Sequence, residues 1–539
     1  MMDFIFGTLS TDELKLVHHR AQRFGLQHGH MRSPRTVNPG EPVKLIVTTG
    51  PDLNADHVVA YYTVNGAWPS GSYGQAEQGQ VIQLVPGEVV WDSHCWGYIQ
   101  TWEGVLPPQT KGTLVRYQIG AWSATQPEIF ADTPNPKTVA ESAASAFFAE
   151  QEWSHHNREM SLADRKIFGY GVAAYHPPAW AHRAIIYHLF VDRFYPGDNR
   201  NWLQTSDLSQ ICGGTLYGIL DKLDYLQTLG INCLWLSPTW VSPSHHGYDA
   251  TDYTRTEPRL GGDEALRRLI GEAHERGIRV LLDLACNHIS HQHPIFQAAR
   301  CDSTSPYRDW FIFDESEIGY RTFFNVASMP ELNLNNPDTR TWMIEVATYW
   351  LKNFQIDGYR LDYANGPGPE FWTDFVLACK QENPETFCFG EVIDSPEMIQ
   401  TYIGVLDGCL DFHLGDAFRR TYGWQSLSKA ELDIFIARHK NYFPRDFIMP
   451  SFLDNHDMDR FLFIAGNDKE SLKQAARHQM QLSGPPIIYY GTEVGLSQAI
   501  STREGMGLHV SRTPMVWGDA QDKTMLTFYQ ELIAERLKR

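Results

Sequence analysis

Four short segments concentrate the ionisable side chains that could act together. They are Asp283-Leu284-Ala285-Cys286-Asn287-His288, Gly358-Tyr359-Arg360-Leu361-Asp362, Gly390-Glu391-Val392 and Phe452-Leu453-Asp454-Asn455-His456-Asp457. Each ends or follows an apolar run of strand character. Arg360 stands two residues before Asp362, and side chains alternate with period two along a strand, so both project from one face. There the guanidinium can keep the carboxylate ionised. Carboxylates, imidazoles and an arginine that meet in one place can move protons or attack an electrophile. Taken singly, each segment has a plainer explanation. Arg360 and Asp362 could be a structural ion pair, Glu391 an exposed carboxylate, His288 a satisfied core histidine. Four such segments, in order, at four successive strand ends do not reduce to these.

The elements that must position them alternate between strand and helix. Eight apolar runs read as strands of a parallel sheet covered on both faces: Ala184–Leu189, Ile231–Leu236, Arg279–Leu284, Ile356–Leu361, Thr386–Phe389, Cys409–Phe412, Asp446–Phe452 and Pro486–Tyr490. Between them, Leu216, Ile219, Leu220, Leu223 and Leu226 form one helical stripe stopped by Gly230. Leu266, Leu269, Ile270 and Ala273 form another, stopped by Gly277. A third helix starts at Asn336-Pro337, with Asn as N-cap and Pro at the first helical position. It carries Trp342, Met343, Val346, Ala347, Trp350 and Leu351 on its buried side. Helix Thr524–Lys538 closes the series. Eight such units predict a closed (β/α)8 TIM barrel, whose active site lies at the C-terminal ends of the strands. Residues 289–335 are too long for a plain loop and are expected to form a small subdomain inserted after strand three.

The first part of the chain reads differently. Val43–Val47, Val58–Tyr62 and Val115–Ile119 are short strands punctuated by Asn65-Gly66 and Pro86-Gly87, a pattern expected of a β-sandwich. Pro134 to Pro178 reads as a linker with some helix. The domain expectation is therefore 1–175 for the N-terminal module plus linker and 176–539 for the barrel, with no C-terminal β-domain. The chain has 539 residues, 42 % hydrophobic and 20 % charged, with a net charge of −19. That balance is ordinary for a globular protein and unfavourable for binding phosphate backbones, so nucleic acid is not an expected partner. Eight scattered cysteines without a CxxC read as buried free thiols suited to a reducing compartment. The N-terminus lacks a basic stretch and a long apolar run, and no segment reaches the ~18 apolar residues of a membrane span. A cytoplasmic location is expected. With 16 Trp and 24 Tyr, most aromatics should be core.

The four ionisable segments resemble the four signature regions of the α-amylase superfamily, glycoside hydrolase family 13, in order and on the matching strands. Gly247-Tyr248-Asp249-Ala250-Thr251-Asp252-Tyr253, Met329-Pro330-Glu331-Leu332-Asn333 and Tyr489-Tyr490-Gly491-Thr492-Glu493 resemble its supporting motifs. The resemblance covers about Pro177 to Arg539. Through Pro177-Pro178-Ala179-Trp180 and Asp192-Arg193-Phe194 it is closest in look to the neopullulanase and cyclomaltodextrinase group. It implies a retaining hydrolase of α-1,4-glucans (starch, maltooligosaccharides, cyclodextrins or pullulan), or a 4-α-glucanotransferase using the same site. By this resemblance Asp362 is the nucleophile, Glu391 the general acid and base, and Asp457 the third carboxylate. Arg360, His288, His456, Asn287, Tyr248 and Asp283 form the substrate-binding set, with Tyr248 stacking on the sugar and Asp283 supporting the arginine. A retaining mechanism needs its two carboxyls ~5–5.5 Å apart, and Glu391 needs a raised pKa.

The chain departs from the family in two places. Tyr363-Ala364-Asn365-Gly366 has Gly366 where the neopullulanase group tends to have Glu. Val392-Ile393-Asp394 replaces its usual Ile-Trp-His. The acceptor side is therefore expected to differ from that group. Calcium is common in the family, and Asp192, Asp198 and Asn199 lie where the group can bind it, but a solvated turn explains them equally well. No metal site and no required cofactor are expected. The run His288-Ile289-Ser290-His291-Gln292-His293 raises the alternative of a metal-dependent hydrolase. A non-catalytic binding barrel is a further alternative, disfavoured because all three carboxylates are present. The N-terminal module could bind glucan or pair in a homodimer, with Trp68, Trp91, Trp96, Trp102 or Trp122 as exposed contacts.

Overall fold

A computed structural model describes residues 16, 19–20, 22–131, 167–172, 176–203 and 205–539. Most of the expected linker lies outside the described residues. The first 131 residues carry antiparallel strands, including Val43–Thr49, His57–Thr63, Gln80–Asp92, Gly97–Leu106 and Thr113–Trp122. Strand Gln80–Asp92 pairs with His57–Thr63 along its first half and with Gly97–Leu106 along its second, and its register shifts between Pro86 and Val89. One long strand thereby turns the sheet over on itself, as a bulge allows. Val43, Leu45 and Val47 from one half and Val58, Ala60, Tyr117 and Ile119 from the other share a single apolar core. Alternation of buried and half-buried residues along Val43–Thr49 gives this two-layer packing directly.

The second part is a curled parallel sheet. Ile186–Leu189, Cys233–Leu236, Arg279–Ala285, Gly358–Asp362, Phe387–Gly390 and Gly408–Cys409 pair in succession. Strand Ile487–Tyr489 returns to pair with Ile186–His188, the first strand. The expected seventh strand, Asp446–Phe452, is not a regular strand. It joins its neighbours by single bridges, Gly408 to Ile448 and Ser451 to Pro486. Pro450, with no N–H, interrupts the ladder there, and Gly408 approaches so closely that a Cβ would sit 1.6 Å from the Ile448 carbonyl oxygen. The ring closes all the same.

Side chains of one parity (Ile186, Cys233, Trp235, Leu281, Phe387, Phe389, Ile487) form a cluster that fills the barrel. Those of the other parity (Tyr187, Leu234, Leu236, Leu282, Leu284) join the helices in the main core. Period-two alternation assigns each residue to its layer. Helix Pro337–Phe354 begins as expected, with the Asn336 side chain accepting from the Asp338 and Thr339 N–H groups. Trp342 is only half-buried on it. The stripe from Leu216 to Leu226 is two helices, Leu216–Asp221 and Leu223–Leu229, broken at Lys222 and ended by Gly230 in the left-handed region (φ 93°). Replacing Asn336 with Ala is expected to cost about 1 kcal/mol by orphaning two N–H groups. A thermal melt should show a drop of about 1–2 °C with activity retained.

The two parts meet at helix Pro369–Glu382. Arg116 of the N-terminal module and Arg340 of the barrel both pair with Asp374, at 2.7 and 2.9 Å. Both guanidiniums lie over the Trp68 ring, 5.2 and 5.5 Å from its centre. It is a seam residue and not an exposed contact. Trp102 is buried, with its Nε1 donating to Thr49 Oγ1 at 3.2 Å, and Trp122 is half-buried. Of the five candidate tryptophans, Trp91 and Trp96 are the exposed ones. Among the described residues, no helix is long and apolar enough to cross a membrane. All eight cysteines are free, and seven are buried.

Candidate active site

Asp283, Arg360, Asp362 and Glu391 stand at the C-terminal ends of the third, fourth and fifth barrel strands, on the inward parity. Arg360 is fully buried and organises them. Its Nη1 donates to Asp283 Oδ1 at 2.8 Å and to Asp362 Oδ1 at 2.7 Å. Its Nη2 lies 2.8 Å from Glu391 Oε1. One guanidinium thus touches both candidate catalytic carboxyls, whose separation is bounded by the width of that fork. Asp283 is also fully buried, and it accepts from Trp235 Nε1 at 2.9 Å and the Tyr248 hydroxyl at 3.0 Å. The Trp235 ring faces Arg360 at 5.2 Å and stacks on His188 at 3.6 Å with a 6° tilt. The arginine therefore rests on an aromatic floor that holds its plane.

Asp457 follows the irregular seventh segment. Its Oδ1 accepts from Arg512 Nη2 at 2.7 Å, and its Oδ2 lies 3.0 Å from His456 Nε2. His456 Nε2 also meets the Tyr248 hydroxyl at 2.7 Å, and the two rings are parallel within 5°. Tyr248 thus ties the Asp283–Arg360 group to the His456–Asp457 group.

Asn287 and His288 lie on the turn after strand three, both buried. The Asn287 Nδ2 has no hydrogen-bond partner among the described residues. Neither ring nitrogen of His288 reaches hydrogen-bond geometry with a described residue. His288 stacks on Phe323 of the inserted segment at 4.6 Å. That segment comprises helix Pro294–Cys301, short turns and single bridges, one of which ties His288 to Glu331. Phe323, Phe324 and Tyr363 form an aromatic wall with ring centres 4.6–5.3 Å apart. Tyr363 has φ 40° and donates its N–H to Glu391 Oε2 at 3.1 Å. A bulky residue in the left-handed region immediately after Asp362 stores strain that the site holds in place.

Burial raises the Glu391 carboxyl. Arg360 opposes that rise, Asp457 reinforces it, and the balance is upward. Burial also lifts Asp362, with Arg360 opposing and Glu391 and Asp283 adding. The two therefore titrate as a pair that retains a proton where isolated carboxyls have lost theirs. Asp457 goes the other way. Burial alone would raise it, but His456 and Arg512 hold it well below the usual range. Burial pushes His288 down to about 4, so its ring is neutral at physiological pH. The arrangement holds an anion, a shared proton and neutral hydrogen-bonding groups in one buried mouth.

All nine residues singled out in the sequence come to this mouth or its floor. The structure adds Arg512, Trp235, His188, Phe323 and Tyr363. The parity of strands one and two would have exposed His188 and Trp235. Arg512 lies on a loop far from any motif and gave no signal.

Two of the three residues considered for calcium are engaged with other groups. Asp192 is buried, and its carboxylate accepts the Cys212 and Gly213 N–H groups at 2.9 and 3.0 Å. Asp198 is exposed in a left-handed turn beside Arg200. The histidine run does not converge either. His293 accepts from Ile295 N at 3.2 Å as a helix cap, and His291 lies 3.3 Å from the Ser328 carbonyl oxygen. Among the described residues, no metal-ligating group includes any of the three.

At Gly366 an added Cβ would lie 2.0 Å from Asn287 Oδ1 and 2.8 Å from Tyr363 Cε1. The absent side chain and the Asn287 carboxamide therefore occupy the same space. Gly366→Glu is expected to displace Asn287 and lower kcat/KM by about 10–100-fold, the scale of an ångström misplacement. Circular dichroism should show an intact fold. Unchanged kcat/KM would mean that Asn287 gives way without consequence.

The α-amylase family, described as "Alpha amylase, catalytic domain", matches residues 188–531. "Alpha-amylase 2" of Dictyoglomus thermophilum is 42 % identical over 362 residues, covering 67 % of this chain and 64 % of that protein. A cyclomaltodextrinase of a Bacillus species is 33 % identical over 385 residues, covering 68 % of this chain and 67 % of that protein. The match thus spans less than two thirds of the Dictyoglomus protein. A solved cyclomaltodextrinase structure superposes with a TM-score of 0.64 at 27 % identity, covering 96 % of this chain and 85 % of that one. With residues 188–531 matched by that family, well over half of its length, the chain belongs to the α-amylase family.

Proposed function

We propose that this protein hydrolyses α-1,4-glycosidic bonds of glucans with retention of anomeric configuration. The observation that carries the reading is Arg360 touching both Asp362 and Glu391 in a buried mouth. Asp362 attacks the anomeric carbon while Glu391 gives its proton to the departing glycosidic oxygen. A covalent glycosyl–Asp362 ester forms, and the bond to the leaving sugar breaks. Glu391, now an anion, takes a proton from water, which attacks the same carbon and releases Asp362. Arg360, bonded to Asp362 Oδ1, opposes the effect of burial and favours the ionised form needed for the attack. Asp457, His456, His288 and Asn287 offer acceptors and donors to sugar hydroxyls, and the unpartnered Asn287 Nδ2 is ready for one. The names of the similar proteins, α-amylase and cyclomaltodextrinase, support linear or cyclic α-glucans as the substrate class. Eight unpaired thiols support a reducing, cytoplasmic setting.

The test is a time course on soluble starch, pullulan and β-cyclodextrin, with products followed by chromatography and their first-formed anomer by NMR. Shorter oligosaccharides released as the α-anomer are expected. Release of the β-anomer would sink the retaining assignment. Products longer than the substrate would move it to glycosyl transfer through the same ester.

A further inference from the structure

Outside the barrel, one cluster of side chains has the composition and spacing of a metal site. His19, Asp92 and Cys95 bring their ligand atoms within 4.8 Å of one another, and no other such group occurs among the described residues. Asp92 and Cys95 belong to the hairpin turn between strands Gln80–Asp92 and Gly97–Leu106, and His19 comes from the helical segment before the first strand. We infer that His19, Asp92 and Cys95 bind a thiophilic divalent cation of the zinc class, which clamps the N-terminal segment to this hairpin.

The turn is built to present the ligands. Asp92 Oδ1 accepts the His94 and Cys95 N–H groups, both at 2.9 Å. That fixes the carboxylate and leaves Oδ2 facing His19 Nε2 at 3.0 Å. Cys95 is buried at 7 % exposure, beneath a turn whose next residue, Trp96, has φ 53° and is 78 % exposed. The His94 ring stands edge-on to His19 with centres 5.2 Å apart, within reach as a fourth ligand. Zn–S, Zn–N and Zn–O bonds of about 2.0–2.3 Å need tetrahedral ligand atoms roughly 3.4–3.8 Å apart, so the atoms farthest apart close in by about 1 Å while the His19–Asp92 pair opens slightly.

A sulfur–nitrogen–oxygen set favours zinc-class ions over calcium or magnesium, which take oxygen ligands. Coordination exchanges the Cys95 thiol proton for the metal and breaks the His19–Asp92 hydrogen bond. The groups that oppose a cation are the arginines. Arg23 Nε lies 3.6 Å from Asp92 Oδ2, and its side chain is 41 % exposed, so it can swing into solvent. Arg20 adds positive charge near Cys95.

The experiment uses the full chain, stripped with a chelator and titrated with Co2+, then with Zn2+ in competition. A thiolate-to-cobalt charge-transfer band, with tetrahedral d–d bands that Zn2+ abolishes at one equivalent, is expected. Cys95→Ser should remove the charge-transfer band. His19→Gln should weaken Zn2+ binding by more than the about 10–100-fold that losing an outer-shell partner costs. Cys301→Ser, at the one exposed cysteine, should leave the band intact. Glucan hydrolysis should be unchanged in all three, since none touches the barrel mouth. If Cys95→Ser fails to fold, the His19→Gln titration carries the test alone. Absence of the band in the wild-type chain, or Zn2+ affinity unaltered by His19→Gln, would overturn the inference and leave the His19–Asp92 bond as a plain structural pin.

Discussion

Glu391→Gln is expected to fold normally and to lose starch hydrolysis by about 10²–10⁴-fold, the range that a positioned general acid supplies. The substitution keeps the shape and the hydrogen bond from Tyr363 N, removes the transferable proton and gives up the ion pair with Arg360 Nη2. A sugar alkoxide leaves poorly without protonation, so kcat on glucans should collapse while substrate binding changes little. An α-glycosyl fluoride needs no protonation to leave. Its first step should survive in the variant, and the glycosyl–enzyme should accumulate because no base remains to activate water. In the wild-type chain, burial raises the Glu391 carboxyl. The required protonated form therefore persists to higher pH than for an ordinary glutamate, and activity falls as pH rises through that raised value. With the fluoride substrate the alkaline limb of the glycosylation step should vanish. Glucan turnover near the wild-type rate would remove Glu391 from its role.

Arg360→Met should be the most damaging single change in the barrel. The guanidinium is fully buried and touches Asp283, Asp362 and Glu391. Removing it leaves buried carboxylates facing one another, a loss on the order of 3–5 kcal/mol. They would respond by binding protons. Each unit of upward shift corresponds to about 1.4 kcal/mol, and a protonated Asp362 is no nucleophile. The expected result is a lower melting temperature, together with loss of glucan hydrolysis and of reaction with the glycosyl fluoride. Arg360→Lys separates charge from geometry. It restores a cation but not the fork that reaches two carboxyls at once, so stability should recover more than activity. A Met variant with the wild-type pH profile would show that the arginine does not control the pair.

Much of this molecule was legible in the sequence because its signals are local. Apolar runs on both faces of a strand, the Asn336-Pro337 start and Gly230 as a stop follow from hydrogen bonding and backbone sterics within a few residues. The alternation that puts Arg360 and Asp362 on one face is equally local. The barrel, and the candidate residues at its mouth, followed from these together with the resemblance to the family. The missed features are those in which distant segments compete for one space. Pro450 reduced the seventh strand to two bridges, which depends on what its neighbours could still pair with. Trp68 became a seam residue because Asp374 gathers Arg116 and Arg340 beside its ring. Arg512 reached Asp457 from a loop with no motif, and Gly366, marked in the sequence as a departure, was found to leave its side-chain space to the Asn287 carboxamide only in the structure. The sequence by itself determined which residues alternate inward and in what order the strands run. The tertiary structure decided which of those residues share a guanidinium, which are buried and how their protons are held. Charge interaction and desolvation depend on distances through space that spacing along the chain does not encode.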